Sequence, residues 1–341
     1  MEWLGSQLPS VWLGIIAFFL LYYAVTDGFD LGIGILSLLH RDEETVGAMM
    51  GTVSHVWAGN QTWLVILGGM LFGAFPLFYG LLLSSLYIPM VAMLFGLLFR
   101  GVAFEFRGQS TRRRVWDLAF GGGSLLATLA QGFALGGLLG GLPVENGTFV
   151  GGVWHWLTPY SALVAAGVLS GYVMLGANYL VWQAEGELRR WAYRCGRVAA
   201  LVTLPLSAGV HLWTTARYPY AAQKWGAWPE ALALGTLLVL SILAYGKLLA
   251  GLWRDSRRGP LLWNAAVILF SFAGLSLALF PHMIPSVVSP VTVAQAAASP
   301  KTLEFMLVAT AVLLPVILVY TGYTYRITSP PGQNSGKGYG G

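Results

Sequence analysis

Charge is what this sequence has least of: 10% of its 341 residues are Asp, Glu, Lys or Arg, against about 25% in soluble globular chains. So few charged groups cannot cover a water-facing surface. The single cysteine, Cys195, excludes an internal disulfide and any thiolate cluster for zinc or iron–sulfur. No motif recurs at a fixed short period, so a solenoid is not expected. Strict alternation of apolar and polar residues is also missing, which excludes the strands of a transmembrane barrel. The class that remains is all-α.

What the chain has instead is long apolar runs, with 56% hydrophobic residues overall. Val11–Leu39, Ala231–Ala250 and Leu303–Tyr320 are each long enough to cross a hydrocarbon core of about 30 Å, which takes roughly 20 apolar residues in a helix. Charge and Gly/Pro punctuation divide the sequence into nine expected transmembrane helices: 11–39, 54–74, 80–104, 116–141, 154–182, 197–214, 229–250, 261–281 and 303–325. They form one polytopic domain over 1–326. The Gly-, Pro- and Ser-rich segment 327–341 reads as a flexible tail. The first span is expected to be retained, because Glu2 stands where a signal peptide is basic and its apolar run exceeds an h-region of about 7–15 residues.

Nine spans put the termini on opposite sides of the membrane. With the N-terminus outside, all of the 19 lysines and arginines except Arg217, Lys224 and Lys301 fall on the cytoplasmic side, as the positive-inside rule requires. The expected orientation is N-out, C-in. That distribution accounts for the net charge of +5 without nucleic acid. Trp3, Trp12, Trp154, Trp156, Trp225 and Trp228 fall near expected interfaces, where an aromatic belt is the ordinary role. Glycine pairs four apart (Gly28 and Gly32, Gly69 and Gly73, Gly132 with Gly136 and Gly140, Gly167 and Gly171) suggest closely approaching helices.

Ionisable groups inside a bilayer cost about 2.5–3.5 kcal/mol at a helix centre and are functional by default. Asp27 and Asp30 lie three apart in TDGFDLGIG and share a face of helix 1. The start of helix 2 contributes Ser54, His55, Asn60, Gln61 and Thr62, and Glu105 ends helix 3. At ~1.5 Å per residue, Asp30 stands about 13 Å and Asp27 about 18 Å from the inner end of helix 1. No carboxylates match them in the outer half. A polar set open to one side reads as a proton inlet to a buried site, whereas a transporter needs access from both sides. Two plainer roles stay open: Asp27 and Asp30 bonded to amides or to an arginine, and Glu105 in a surface ion pair with Arg100 or Arg107. The five histidines, His40, His55, His155, His211 and His282, form no evident pair of haem ligands. No cofactor-binding, metal-ligating or catalytic residue is therefore assigned to this chain.

The segments AVTDGFDLGIG, VWAGNQTWL, FRGVAFEFR, NYL with EGEL, FPHMIPS and LLPVILVYTGY, in this order over residues 20–325, resemble subunit II of the cytochrome bd-type quinol oxidases. The resemblance implies a quinol:oxygen oxidoreductase complex that makes proton motive force without pumping. Its subunit I partner would carry haem b and haem d and oxidise quinol, with room for small accessory subunits and lipid. This chain would support subunit I and supply a cytoplasmic proton path through Asp27, Asp30 and Glu105, aided by Asn60 and Gln61. One departure is Ala58, where the family usually has an acidic residue. A proton-coupled secondary transporter is the alternative that the residues alone leave open.

Overall fold

The computed structural model describes residues 2–286 and 290–327, with side chains from Gln7 onward. Thirteen α-helices follow in chain order: α1 (Glu2–Ser37), α2 (Glu43–Val53), α3 (Trp57–Ala74), α4 (Pro76–Ser85), α5 (Tyr87–Phe106), α6 (Arg113–Leu139), α7 (Pro159–Gln183), α8 (Gly186–Arg217), α9 (Pro219–Lys224), α10 (Glu230–Trp253), α11 (Gly259–Leu279), α12 (Val293–Ala296) and α13 (Pro300–Ile327). Two short antiparallel pairs, Val144–Glu145 with Thr148–Phe149 and His282–Ile284 with Val291–Thr292, tie loops at one end. Eight helices are long and apolar enough to cross a membrane, and α3 with α4 makes a ninth candidate bent by 119°. The all-α polytopic class expected from the sequence is the observed one.

The boundaries differ where polar residues mislead a count of apolar ones. Helix 2, expected from residue 54, is preceded by the separate α2, whose N-terminus is capped by Asp42 accepting from the Glu44 and Thr45 amides. Pro76 starts α4 where proline's missing N–H costs nothing, so the run expected as one helix over 80–104 is broken at Leu86 into α4 and α5. The span expected over 197–214 begins eleven residues earlier, at Gly186, and carries Arg189, Arg190, Arg194 and Arg197 on helix. Residues 154–158, expected within helix 5, precede α7, which a Thr158–Ser161 capping box opens. The tail expected over 327–341 lies outside the described residues apart from Ile327.

Contacts between loops define the two ends of the bundle. At one end Arg107 donates to the Glu43 carbonyl, Arg114 to the His40 carbonyl, Arg257 to the Trp182 carbonyl and Arg197 to the Leu252 carbonyl. At the other, Tyr218 donates to the Leu139 carbonyl, Lys224 to that of Leu277 and Trp12 to that of Leu303. The first is called the arginine-rich end below. Trp12, at the opposite end, is fully buried against α13 and is no belt residue, and Trp156 is buried too, whereas Trp154, Trp225 and Trp228 are exposed. Trp3 lies among the side chains not described.

Where α1 crosses α7 the backbones touch: a Cβ on Gly32 would stand 1.8 Å from the Tyr172 carbonyl oxygen, and one on Gly176 2.5 Å from Gly32 C. Gly132 and Gly136 meet Ala165 and Ser161 in the same way, while Gly69, Gly167 and Gly171 face open space. This close packing holds α1 at the centre, against α3, α6 and α7.

Candidate functional site

Asp27 and Asp30 are completely buried on α1. With α1 ending at Ser37, they stand about 15 and about 10 Å from its end at ~1.5 Å per residue, both nearer the arginine-rich end than the other. Being three apart, they meet different neighbours. Asp27 Oδ1 accepts from Arg100 Nη2 at 2.7 Å, an ion pair in which both side chains are fully buried. Gln61 Oε1 lies 3.5 Å from the same Nη2. Asp30 Oδ2 accepts from Asn60 Nδ2 at 2.9 Å, and Asn60 Oδ1 accepts from the Tyr325 hydroxyl at 2.6 Å. Asn60 Nδ2 also lies 3.3 Å from the Thr26 carbonyl. Four helices thus meet in one polar cluster: α1, α3, α5 and α13.

Arg100 reaches Asp27 because α5 carries it into the bundle at the level where Gly96 of α5 and Gly123 of α6 let the two backbones touch. An unpaired buried guanidinium would cost several kcal/mol, and excellent geometry with a carboxylate is what offsets it. Five donors on a guanidinium exceed what Asp27 and Gln61 accept. Arg100 Nε and Nη1, Asp27 Oδ2 and Asp30 Oδ1 are buried with no hydrogen-bond partner among the described residues. Buried polar atoms of this kind are ordinarily met by ordered water. The cluster therefore combines one fixed ion pair, one carboxylate held only by a neutral amide, and four polar atoms suited to bridging water.

Glu105 does not join it. The side chain is exposed on the last turn of α5, and neither arginine expected beside it is free: Arg100 turns inward to Asp27, and Arg107 pairs with buried Asp117 at 2.5 Å. The surface ion pair expected for Glu105 is absent among the described residues. We expect Glu105→Gln to change oxygen uptake by less than about twofold, measured on purified complex at matched haem content, because an exposed carboxylate is readily bypassed by water. A loss as large as that from an Asp30 variant would place Glu105 on the route.

Ala58 is exposed on α3, while Asn60, two residues on, is buried against Asp30. A carboxylate at position 58 would therefore leave the face that meets Asp30. Toward the other end, the polar groups continue for one turn without carboxylates: Tyr23, four residues before Asp27, accepts from Gln131 Nε2 at 2.7 Å, and Gln131 Oε1 accepts from the Tyr172 hydroxyl at 3.0 Å. Two members of the cluster escaped the sequence reading. Arg100 had a signal, an arginine within the apolar run GLLFRGVAF, but was counted with the cytoplasmic loop. Tyr325 had none, because a tyrosine near a helix end looks interfacial.

The histidines are dispersed. His55 bonds Ser54 at 2.7 Å and is exposed; His211 lies 2.8 Å from the Ser207 carbonyl and 3.5 Å from that of Ser271. His40, His155 and His282 lie in connecting segments, where burial pushes each imidazole below its ordinary range. Among the described residues no three His, Cys, Asp or Glu side chains could hold a metal ion.

Comparison with known proteins places this architecture. The profile described as cytochrome bd terminal oxidase subunit II matches residues 8–328. The chain is 29% identical to cytochrome bd-I ubiquinol oxidase subunit 2 of Escherichia coli strain K12, over 93% of each chain. It is 27% identical to cytochrome bd ubiquinol oxidase subunit 2 of Bacillus subtilis strain 168, over 94% of this chain and 96% of that one. Its fold superposes on a chain of the bd oxidase from Geobacillus thermodenitrificans with a TM-score of 0.78 at 20% identity, covering 94% and 98% of the two chains. Nothing in these matches favours a secondary transporter. A multi-pass membrane protein of an oxidase complex, this chain belongs to the cytochrome bd terminal oxidase subunit II family.

Proposed function

We propose that the chain is the haem-free supporting subunit of a complex that oxidises quinol and reduces oxygen to water, and that it conducts protons inward from the cytoplasm. The observation that carries the second part is the buried Asp27–Arg100 pair beside Asp30. A lone carboxylate at this depth would be expensive, and a lone arginine equally so. Together they set a fixed dipole beside Asp30, whose donor is a neutral amide and which can gain and lose a proton without breaking an ion pair. Tyr325 and Asn60 orient Asp30 from the arginine-rich end, and Gln61 steadies Arg100. The four unpartnered atoms provide the water contacts a relay needs. Reduction of oxygen consumes protons at a buried site, so uptake from the cytoplasm, with quinol protons released outside, separates charge without a pump.

In this reading haem b and haem d belong to subunit I, where haem supplies the redox chemistry. The histidines here are committed to local bonds or scattered among connecting segments. The matched test is spectroscopic: complex purified with its partner is expected to show haem absorption and quinol-driven oxygen uptake, and this chain folded alone to show neither. Stoichiometric haem in the isolated chain would overturn the assignment.

The cytoplasmic direction rests on the arginine-rich end, which, among the described residues, gathers every cationic loop contact between the spans except those of Arg217 and Lys224. A reporter fused to the C-terminus is expected to be active only when it is a cytoplasmic reporter. Activity of a periplasmic reporter at that position would invert the path.

A further inference from the structure

A cleft of about 910 Å³ opens at the arginine-rich end, beside the first three turns of α8. Four arginines line it, Arg189, Arg190, Arg194 and Arg197, against two carboxylates, Glu187 and Asp255. Arg197 is part of the wall, because it donates to the Leu252 carbonyl and pairs with Asp255 at 3.0 Å. Arg190 pairs with Glu187 only at 3.4 Å, with both side chains exposed, a geometry that holds little. The side chains of Arg189 and Arg194 make no hydrogen bond or ion pair among the described residues. On the other wall His40 packs edge-on against Trp191, ring centroids 4.4 Å apart, and its Nε2 is buried with no partner among the described residues.

The same helix face continues into the membrane. Val198, Leu201 and Val202 follow Arg194 by four, seven and eight residues, which puts them below it on one stripe, and they are 62%, 60% and 46% exposed. One helical turn, about 5.4 Å, separates the last free cation from the first exposed apolar residue. We propose that this cleft holds the headgroup of an anionic phospholipid, with its phosphate at Arg194, on the face shared with the Val198–Leu201–Val202 stripe of α8 that takes the acyl chains, and with Arg189 adding positive charge to the same cleft. The guanidinium fork matches a phosphate diester. Trp191 lines the same cleft, and aromatic side chains of this kind are enriched in the headgroup layer. A soluble phosphate would use the arginines alone, and nothing in its chemistry would require the apolar stripe beneath them.

The test is native mass spectrometry of the intact complex, titrated with phosphatidylglycerol, phosphatidylcholine and glycerol 3-phosphate. Phosphatidylglycerol is expected to bind at least tenfold more tightly than phosphatidylcholine. The Arg189→Ala/Arg194→Ala double variant should weaken it by about tenfold or more, given the usual attraction of two surface cations to anionic lipid. Arg189→Lys/Arg194→Lys should keep the preference for phosphatidylglycerol over phosphatidylcholine at reduced affinity, since the charges stay and the fork is lost, and Val198→Gln/Leu201→Gln should weaken the lipid without changing glycerol 3-phosphate. Equal binding of the two lipids by the wild-type complex would overturn the proposal whether or not any variant assembles. So would unchanged phosphatidylglycerol binding in the double alanine variant, or glycerol 3-phosphate binding as tightly as the lipid.

Discussion

Replacing Arg100 by alanine is expected to abolish accumulation of the assembled complex, the largest effect of any single substitution in the polar cluster. The guanidinium is completely buried and is the only ion-pair partner of Asp27 among the described residues. Removing it leaves a carboxylate uncompensated in a medium that cannot solvate it, a loss of about 3–5 kcal/mol for a broken buried pair. That is comparable to the whole stability margin of many domains. Removing both charges together should recover much of the loss, because an uncharged pair carries no such desolvation cost. Complex yield and thermal stability of Arg100→Ala, Asp27→Asn and Asp27→Asn/Arg100→Gln, measured side by side, decide the matter. Normal yield from Arg100→Ala would mean that water or another cation compensates Asp27, and the ion pair would lose its structural role. Asp27→Asn alone is therefore expected to impair assembly, through the orphaned Arg100, and cannot report cleanly on proton transfer.

Asp30→Asn should behave differently. Asp30 has a neutral amide as its donor and no ion pair, so an amide of the same shape keeps the packing and strands no charge. Assembly and haem spectra are expected to stay near wild type, while quinol-driven oxygen uptake falls at least tenfold, equivalent to about 1.4 kcal/mol on the limiting barrier. The physical reason is that an amide cannot bind and release a proton at neutral pH, although it can occupy the same hydrogen bonds. Tyr325→Phe, which removes the hydroxyl that orients Asn60, offers an intermediate case, with a smaller loss if orientation alone is at stake. Wild-type uptake by Asp30→Asn at matched haem content would show that the residue is structural and that protons enter elsewhere.

The class of the protein was written in its composition. Water demands charge at a surface, and a chain with so little charge and runs of twenty apolar residues has only a bilayer to occupy. Eight of the nine expected spans have a helix long and apolar enough to cross, and the ninth corresponds to the bent α3–α4 pair, since each crossing helix must bury its backbone polar groups within itself. Buried aspartates on α1 were legible too, because an ionisable residue is conspicuous in an apolar segment. Boundaries were less so: the bend between α3 and α4 falls inside a continuously apolar stretch, and the helical start of α8 is hidden by its arginines, which a hydropathy count takes for a loop.

What the sequence could not disclose is which polar groups touch. Asp27 and Arg100 stand 73 positions apart and Asn60 and Tyr325 265 apart, and no local rule links residues so distant. Their meeting depends on helix packing, set where Gly32 and Gly176 let α1 and α7 come into backbone contact. The rotation of α5 about its axis sends Arg100 inward and leaves Glu105 outside, although both sit at the end of one apolar run. Composition alone determined that this chain lives in a membrane and carries acids there. Only the tertiary structure decided which acid is locked in an ion pair and which is held by a neutral amide alone, because that choice depends on which cation the packed helices bring within 3 Å.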